Sequence, residues 1–180
     1  MLNDLIIIEL NSDIKYNPLH KPHLKPQVLA NRLRTILELF SENNQESYWL
    51  DKAEQIISEC IKLCRFYNNG YVTFAEIHKL VTSQEYFEEK INIIRNLFME
   101  STFSHKELYD LNTSIDFFQK EFFSLDQRTS SILKSEITRI TNTFVNDYDI
   151  FETFCPEEST LSFDGFSEVI NSGKIVVLNI

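Results

Sequence analysis

The chain has 180 residues, of which 43% are hydrophobic and 24% are charged, and its formal net charge is −10. This length is sufficient for one domain with its own core. Because the chain contains only three glycines and four prolines, a turn-rich β-sandwich or barrel is disfavoured and long helices are favoured. The negative charge is unfavourable for strong nucleic-acid binding, which depends on cations at the phosphates.

The cysteines and the hydropathy pattern indicate a cytoplasmic protein in a reducing compartment. There are three cysteines, Cys60, Cys64 and Cys155, with no signal-peptide pattern and no apolar run of about 18 residues that would span a membrane. We therefore predict no membrane contact by this segment. Cys60 and Cys64 lie four residues apart, but no histidine or third cysteine is nearby, so they are interpreted as buried thiols and not as metal ligands.

The first apolar run, Leu5–Leu10, is rich in β-branched residues and precedes a polar turn. It predicts a strand that is covered on both faces. Residues 15–34 follow and contain no acidic side chain; their basic residues are Lys15, Lys21, Lys25, Arg32 and Arg34. This basic segment is interpreted either as a solvated surface of uneven charge or as a contact for a partner. His20 and His23 are too few to indicate a metal site.

Two amphipathic helices are predicted next. The first covers residues 28–40, with an inward face formed by Leu29, Leu33, Ile36, Leu37 and Phe40. Ser47 is a candidate N-cap for the second, which runs to about Tyr67. Its inward residues are Ala53, Ile56, Ile57, Cys60, Ile61 and Cys64.

The stretch YNNGYVTFAE, residues 67–76, resembles the second half of a calcium-binding EF-hand loop, with Gly70 at its centre and Glu76 at its end. Only Asn69 offers a side-chain oxygen at the earlier ligand positions, which is too few for a calcium ion. Thr73 and Glu76 also have the spacing of a capping box. We interpret the stretch as the end of one helix, a glycine turn and the start of a third helix.

Three further helices are predicted. One begins at Ser83 and carries Phe87, Ile91, Ile94 and Phe98. The next begins at a capping box formed by Ser104 and Glu107, and it has a narrow apolar seam that must face another helix. The seam residues are Leu108, Leu111, Ile115, Phe118, Phe122 and Leu125. The predicted partner is the helix after Asp126, which repeats this spacing at Leu133, Ile137, Ile140 and Phe144. Phe117-Phe118 and Phe122-Phe123 are predicted core pairs.

The helix after Asp126 also has a polar face, which consists of Arg128, Ser131, Ser135, Thr138, Arg139 and Asn142. Short hydroxyl groups beside arginines suit phosphate contacts, although a solvated helix face has the same composition. The candidate contact residues for nucleic acid or a protein partner are therefore Lys21, Lys25, Arg32, Arg34, Arg128, Ser135 and Arg139.

The last part of the chain is acidic and then apolar. Residues 146–170 contain no lysine or arginine; their acidic residues are Asp147, Asp149, Glu152, Glu157, Glu158, Asp164 and Glu168. The run 174–180 predicts a second strand covered on both faces. Two strands cannot bury both faces of their own sheet. If they pair in parallel, the helices form one long crossover inserted into an α/β domain, so the chain is predicted to be a fragment of a longer protein.

No catalytic, cofactor-binding or metal-binding residues are predicted. The one Gly-Lys pair, Gly173-Lys174, has Glu168 in the place of the first glycine of a Walker A loop and Ile175 in the place of Ser or Thr. The carboxylates suggest no acid/base pair. We therefore expect that this chain is not an enzyme in isolation.

Three segments in this order and spacing resemble a known family: YNPL at 16–19, SYWLDKAEQII at 47–57 and FDGFSEVINSGKIVVLNI at 163–180. They are similar to the conjugative DNA-transfer coupling ATPases of type IV secretion, which are hexameric motors related to FtsK-like and HerA-like translocases. The resemblance covers nearly the whole chain. It implies a RecA-like α/β motor domain into which an all-α domain is inserted.

The resemblance also implies the organisation of this chain and its partners. Residues 1–20 would be a strand and turn of the motor domain, 21–172 the inserted all-α domain, and 173–180 the return strand. ATP and Mg²⁺ would bind to the parent protein outside this chain, and the parent could be anchored in the inner or plasma membrane by another segment. The expected partners are a protein substrate, a relaxosome or an adaptor docking on residues 146–170, with DNA binding at most weakly.

Overall fold

The structure, a computed structural model, describes residues 5–39, 47–100 and 103–179. Within these ranges the chain is mainly helical with two short strands, which confirms the predicted class. The strands are β1 (Leu5–Glu9) and β2 (Ile175–Asn179). The helices are α1 (Pro26–Leu39), α2 (Ser47–Tyr67), α3 (Phe74–Thr82), α4 (Gln84–Glu100), α5 (His105–Asp116), α6 (Gln127–Val145), α7 (Tyr148–Phe154) and α8 (Phe166–Asn171), with a π-helical segment at Phe117–Phe122 and a 3₁₀ turn at Glu158–Thr160.

Helix α1 begins at Pro26, where a missing N–H costs no intrahelical hydrogen bond. Leu29, Leu33 and Leu37 are buried against α2 as predicted. Ile36 is 40% exposed, so its predicted inward position is wrong, because the contact with α2 follows a narrower stripe of α1. Phe40 lies outside the described residues.

We call helices α1 to α6 the helical body. Helix α2 is its central element and is in contact with α1, α3, α4, α5 and α6. The predicted inward residues are all buried, and further side chains on other faces are buried too: Leu50, Ser58, Glu59 and Leu63. A helix that is buried on several faces provides packing surface for several neighbours. Its buried residues form one core with those of the surrounding helices.

The predicted seam between the fifth and sixth helices is wrong in its pairing. Helix α5 packs mainly on α2, and α6 packs on α3 and α2. The two apolar stripes are buried only in part: Leu111, Phe118, Phe122, Leu133 and Ile137 are buried, and the other stripe residues are half-buried. The surface that covers α5 is α2, and α6 is covered by α3 and α2. The fifth helix also changes at Asp116 into the π-helical segment, where the predicted core residues Phe117, Phe118 and Phe122 are buried.

Strands β1 and β2 form a two-stranded parallel sheet, in which Leu5 pairs with Ile175 and Glu9 pairs with Asn179. The strand prediction is therefore confirmed, and so is the long helical crossover between parallel neighbours. The prediction that both faces are covered is wrong for this chain. In β1 only Ile8 is buried, and β2 has no buried residue.

A second, smaller core joins the sheet to the last helices. It consists of Ile8, Tyr16, Phe154, Phe163 and Val169. The Tyr16 ring makes edge contacts with the Phe154 and Phe163 rings, at centroid distances of 6.5 and 5.3 Å. Phe144 of α6 packs on both cores. The first and last parts of the chain are thus held together by an aromatic cluster, which fixes the sheet beside the helical body.

The helix starts follow the predicted capping signals closely. Ser104 and Glu107 form the full reciprocal capping box of α5. At α3 the Thr73 hydroxyl accepts from the Glu76 amide, but the Glu76 carboxylate does not complete the predicted box. It accepts instead from the hydroxyl groups of Tyr67 and Tyr86, at 2.5 and 2.7 Å. The reason is that two partly buried tyrosines provide donors in a less hydrated environment.

A pH dependence of stability is expected from His78 on α3. Its Nδ1 atom lies 2.9 Å from the Thr141 hydroxyl oxygen, and burial lowers its pKa from the usual 6.5. As the pH falls, the unfolded chain therefore binds a proton at this histidine before the folded chain does, and stability decreases below about pH 6.5.

The measurement is urea unfolding at several pH values between neutral and mildly acidic, with His78→Gln beside the wild type. We expect the wild type to lose more stability than His78→Gln over this interval. His105→Gln, which changes an exposed histidine, serves as the control and is expected to follow the wild type. A steeper loss in His78→Gln than in the wild type would contradict the assignment.

The three cysteines are buried and unpaired, as predicted. Burial raises the pKa of the Cys60 and Cys64 thiols, and it raises the pKa of Cys155 to about 11. Because the thiolate is the reactive form, we expect slow reaction with a disulfide reagent such as DTNB at pH 8 in the native chain. All three thiols should react rapidly in guanidinium. One thiol reacting rapidly in the native chain would contradict this burial.

Candidate functional site

The predicted basic segment, residues 15–34, is not one continuous cationic surface. The Lys21 ammonium lies 5.4 Å from the centroid of the Tyr16 ring and 3.5 Å from the Asp164 carbonyl oxygen. Burial lowers the pKa of Lys21, and the Asp164 carboxylate partly offsets this effect. The basic segment thus touches the acidic segment 146–170 within the same chain. Lys25 and Arg32 are exposed.

Arg34 is occupied by acidic side chains of the helical body. Its Nε atom lies 3.0 Å from Asp51 Oδ1 and 3.5 Å from Glu54 Oε2, and its Nη1 atom lies 3.0 Å from Glu38 Oε2. The hydrogen bond to Asp51 raises the pKa of Arg34. Arg34 therefore links α1 to α2. Any contact that it makes with a partner stays a prediction.

The predicted polar face of α6 is on the surface, with Arg128, Ser131, Ser135 and Asn142 exposed and Thr138 half-buried. The Arg139 guanidinium lies 3.2 Å from the Glu136 carboxylate, which is 10% exposed. This ion pair reduces the positive charge of the face. Arg128 and Ser135 are exposed, and their contact with a phosphate or a partner stays a prediction.

The acidic segment 146–170 forms α7, the 3₁₀ turn and α8. Asp147 caps α7 by accepting from the amides of Asp149 and Ile150. Glu157 and Glu158 are exposed and line an open pocket of about 630 Å³ together with Glu76 and Lys79. The acidic segment thus combines structural carboxylates with a solvent-facing acidic surface, as docking of a basic partner requires.

One face of the sheet is uncovered and is apolar except at its end, where Glu9 pairs with Asn179. In a parallel pair, residues that are paired across the strands point to the same side of the sheet. Leu5 and Ile7 of β1 therefore share a face with Ile175 and Val177 of β2, and their exposed fractions are 44, 41, 62 and 42%. Ile6, Ile8 and Val176 pack on the smaller core. We call the surface formed by Leu5, Ile7, Ile175 and Val177 the open sheet face.

A pocket of about 790 Å³ lies beside α2 and was not predicted from the sequence. It is lined by the first turns of α1 and α5, the last turn of α2 and part of α4, and we call it the corner pocket. Its charged residues are Lys25, Lys62, Arg65, Lys106, Glu107 and Asp110. Only Lys25 was a predicted contact residue, because the others are separated in sequence and their proximity depends on how three helices pack.

The EF-hand-like glutamate has a structural role in this fold. Glu76 accepts from Tyr67 and Tyr86, and the Lys90 ammonium lies 5.5 and 4.5 Å from the centroids of these two rings. Tyr67 also contacts the Cys64 sulfur at 3.2 Å. Burial raises the pKa of both tyrosines, so they remain donors. This network links α2, α3 and α4.

Across the described ranges, no three His, Cys, Asp or Glu side chains are grouped closely enough to hold a metal ion. None of the described helices combines the length and the apolar character needed to span a membrane. The chain matches no family model, no curated protein and no solved structure.

Proposed function

We propose that this chain is a helical partner-recognition module that is inserted into the α/β motor domain of a conjugative coupling ATPase of type IV secretion. In this proposal the module is not catalytic and recognises a protein substrate, a relaxosome component or an adaptor. The observation that carries the proposal is the open sheet face. The proposed family of the parent protein comes from the resemblance of residues 16–19, 47–57 and 163–180 to that family.

The open sheet face is unusual for a parallel sheet. Parallel strands occur almost only where both faces are covered, and two strands alone bury too little surface to be stable. Four aliphatic side chains that are each at least 41% exposed form a contiguous surface here. A larger sheet with a helical layer on this side would cover them, and the α/β motor of the proposed parent is such a structure.

The helical body is suited to recognition because it has a core of its own beside that sheet. Its core contains residues of α1 to α6 and excludes both strands. Its surface carries the acidic segment 146–170, which favours a basic protein partner over DNA. ATP and Mg²⁺ belong to the motor domain in this proposal, and the hexamer is a property of the parent protein.

A direct nucleic-acid contact is the second candidate, because Lys25, Arg32, Arg128 and Ser135 are accessible. The engagement of Arg34 and Arg139 with carboxylates weakens it. A titration of the chain with short single- and double-stranded DNA at low and moderate salt, followed by fluorescence anisotropy, distinguishes DNA binding from recognition of a protein partner. Salt-sensitive binding that Arg128→Ala abolishes would favour DNA over a protein partner.

The reading frame that encodes this chain tests the proposed parent most simply. We expect a G-x-x-x-x-G-K-[ST] motif upstream of β1 and a Walker B strand downstream of β2. Their absence from the encoded protein would contradict the proposed family. For the recognition role, the full-length protein should retain a bound substrate or adaptor on affinity purification, and Glu157→Gln/Glu158→Gln should release it. Glu85→Gln/Glu88→Gln, which removes the same charge from exposed positions of α4, is the matched control.

A further inference from the structure

The corner pocket has the size and composition of a ligand site. Its volume of about 790 Å³ is within the range of roughly 300–1,000 Å³ that small-molecule sites occupy. Four basic side chains from two helices, α2 and α5, and from the turn before α1 line it, against two acidic ones. In a chain with a net charge of −10, such a local excess of positive charge indicates an anionic ligand.

The cations differ in how firmly they are held. The Arg65 guanidinium donates to the carbonyl oxygens of Lys21 and Leu24, at 3.1 and 2.9 Å, and its Nε atom is buried without a hydrogen-bond partner. Lys62 is paired with Glu59 at 2.7 Å. Lys25 and Lys106 are exposed and line the pocket from the turn before α1 and from the first turn of α5. These two lysines are therefore the side chains that are able to close on a ligand.

The helix starts add to the positive potential. Pro26 and Gln27 of the first turn of α1 line the pocket, and this turn has no acidic residue. The first turn of a helix carries a partial positive charge and unpaired amide groups, which favour phosphate. At α5 the Glu107 carboxylate accepts from the Ser104 amide and hydroxyl, so this carboxylate is committed to the helix cap.

The remaining wall is apolar and aromatic. It includes Phe66, Tyr67, Leu97 and Phe103, and the Phe66 and Phe103 ring centroids are 6.3 Å apart. An inorganic ion would leave this surface in contact with water. A ligand with an anionic group at one end and a flat ring at the other would use both parts of the pocket.

We propose that the corner pocket binds a phosphate monoester joined to an aromatic base through a sugar, either a free nucleoside monophosphate or the 5′-phosphorylated end of a nucleic-acid strand. The phosphate, with a charge of about −1.5 to −2, lies between Lys25, Lys106 and the first turn of α1. The base lies against Phe66 and Phe103. This site does not depend on the proposed motor domain or on the open sheet face.

Isothermal titration of the native chain with AMP at low salt tests the site. We expect saturable binding of AMP with a Kd of about 1 mM or tighter. The affinities for adenosine and for inorganic phosphate should each be lower than that for AMP by roughly tenfold or more. Lys25→Gln/Lys106→Gln should lower AMP affinity roughly tenfold or more with an unchanged circular dichroism spectrum. The matched control Lys134→Gln/Lys174→Gln, which removes the same charge outside the pocket lining, should bind AMP like the wild type.

Three results would overturn the proposal: no saturable binding of AMP, binding of adenosine as tight as that of AMP, or an equal loss of affinity in the control pair. Binding of inorganic phosphate as tightly as AMP would overturn the role of the aromatic wall. A 5′-phosphorylated oligonucleotide, compared with its 5′-hydroxyl form, distinguishes the two sources. Preference for the phosphorylated strand over AMP assigns the site to strand ends, and preference for AMP assigns it to free nucleotides.

Discussion

Phe118→Ala is expected to lower the free energy of unfolding by about 3–5 kcal/mol, the range for deleting a buried phenylalanine ring. The Phe118 side chain is fully buried. Its ring centroid lies 5.1 Å from that of Phe87 and 5.7 Å from that of Phe122. The ring therefore joins α4 to the π-helical segment, and its removal leaves a cavity that the neighbouring rings cannot fill without leaving their own contacts.

Urea unfolding followed by far-UV circular dichroism measures this effect. Tyr109→Ala on α5 is the control, because Tyr109 is an aromatic residue that is 71% exposed, and it should change stability by less than about 0.5 kcal/mol. If Phe118→Ala cost less than about 1 kcal/mol, the aromatic cluster would not be the packed core described above.

Asn17→Ala is expected to lower the free energy of unfolding by about 2–4 kcal/mol, because it leaves two buried backbone groups without partners. The Asn17 side chain is 1% exposed. Its amide donates to the Val72 carbonyl oxygen at 2.8 Å, and its carbonyl oxygen accepts from the Leu19 amide at 2.9 Å. It thus ties the segment after β1 to the turn before α3.

Thermal or urea unfolding of Asn17→Ala, with Asn142→Ala as a control on an exposed helix position, separates this role from a general effect of removing an amide. Asn17→Asp is an informative second variant, because it keeps the acceptor for Leu19 and loses the donor to Val72. We expect its cost to be of the same sign as that of Asn17→Ala. Equal stability of Asn17→Ala and Asn142→Ala would show that these hydrogen bonds contribute nothing.

The sequence predicts the helices well where local chemistry decides them. Ser104 and Glu107 form the predicted cap, and the inward residues of α2 are buried as expected. The pairing of helices was not predictable in the same way. The stripe that includes Leu111 and Phe118 shows that a face is buried, but any apolar surface of suitable shape covers it. Helix α5 packs on α2, and Phe118 packs on Phe87 of α4.

In the candidate sites, too, the sequence predicts local features but not the contacts that depend on packing. The basic segment 15–34 is evident in the sequence, yet the commitment of Arg34 to Asp51 depends on the packing of α1 on α2. The corner pocket was not predicted, because Lys25, Arg65 and Lys106 are brought together only by the fold. The role of Tyr16 and Asn17 in the YNPL segment also depends on distant residues, namely Phe163 and Val72.

The open sheet face is the central claim, and two neighbouring residues of β1 test it directly. Ile8 is fully buried and Ile7 is 41% exposed. The same substitution, isoleucine to threonine, keeps the β-branch at both positions and replaces the ethyl group by a hydroxyl group. The two changes therefore differ mainly in the burial of the side chain.

The measurement is the free energy of unfolding of Ile7→Thr and Ile8→Thr in this chain. We predict a loss of roughly 2 kcal/mol or more for Ile8→Thr and of less than about 1 kcal/mol for Ile7→Thr. Such a difference means that the Ile7 face is open in this chain and available to a covering layer of a larger domain. An equal loss at the two positions would mean that this face is already covered, and it would contradict the account.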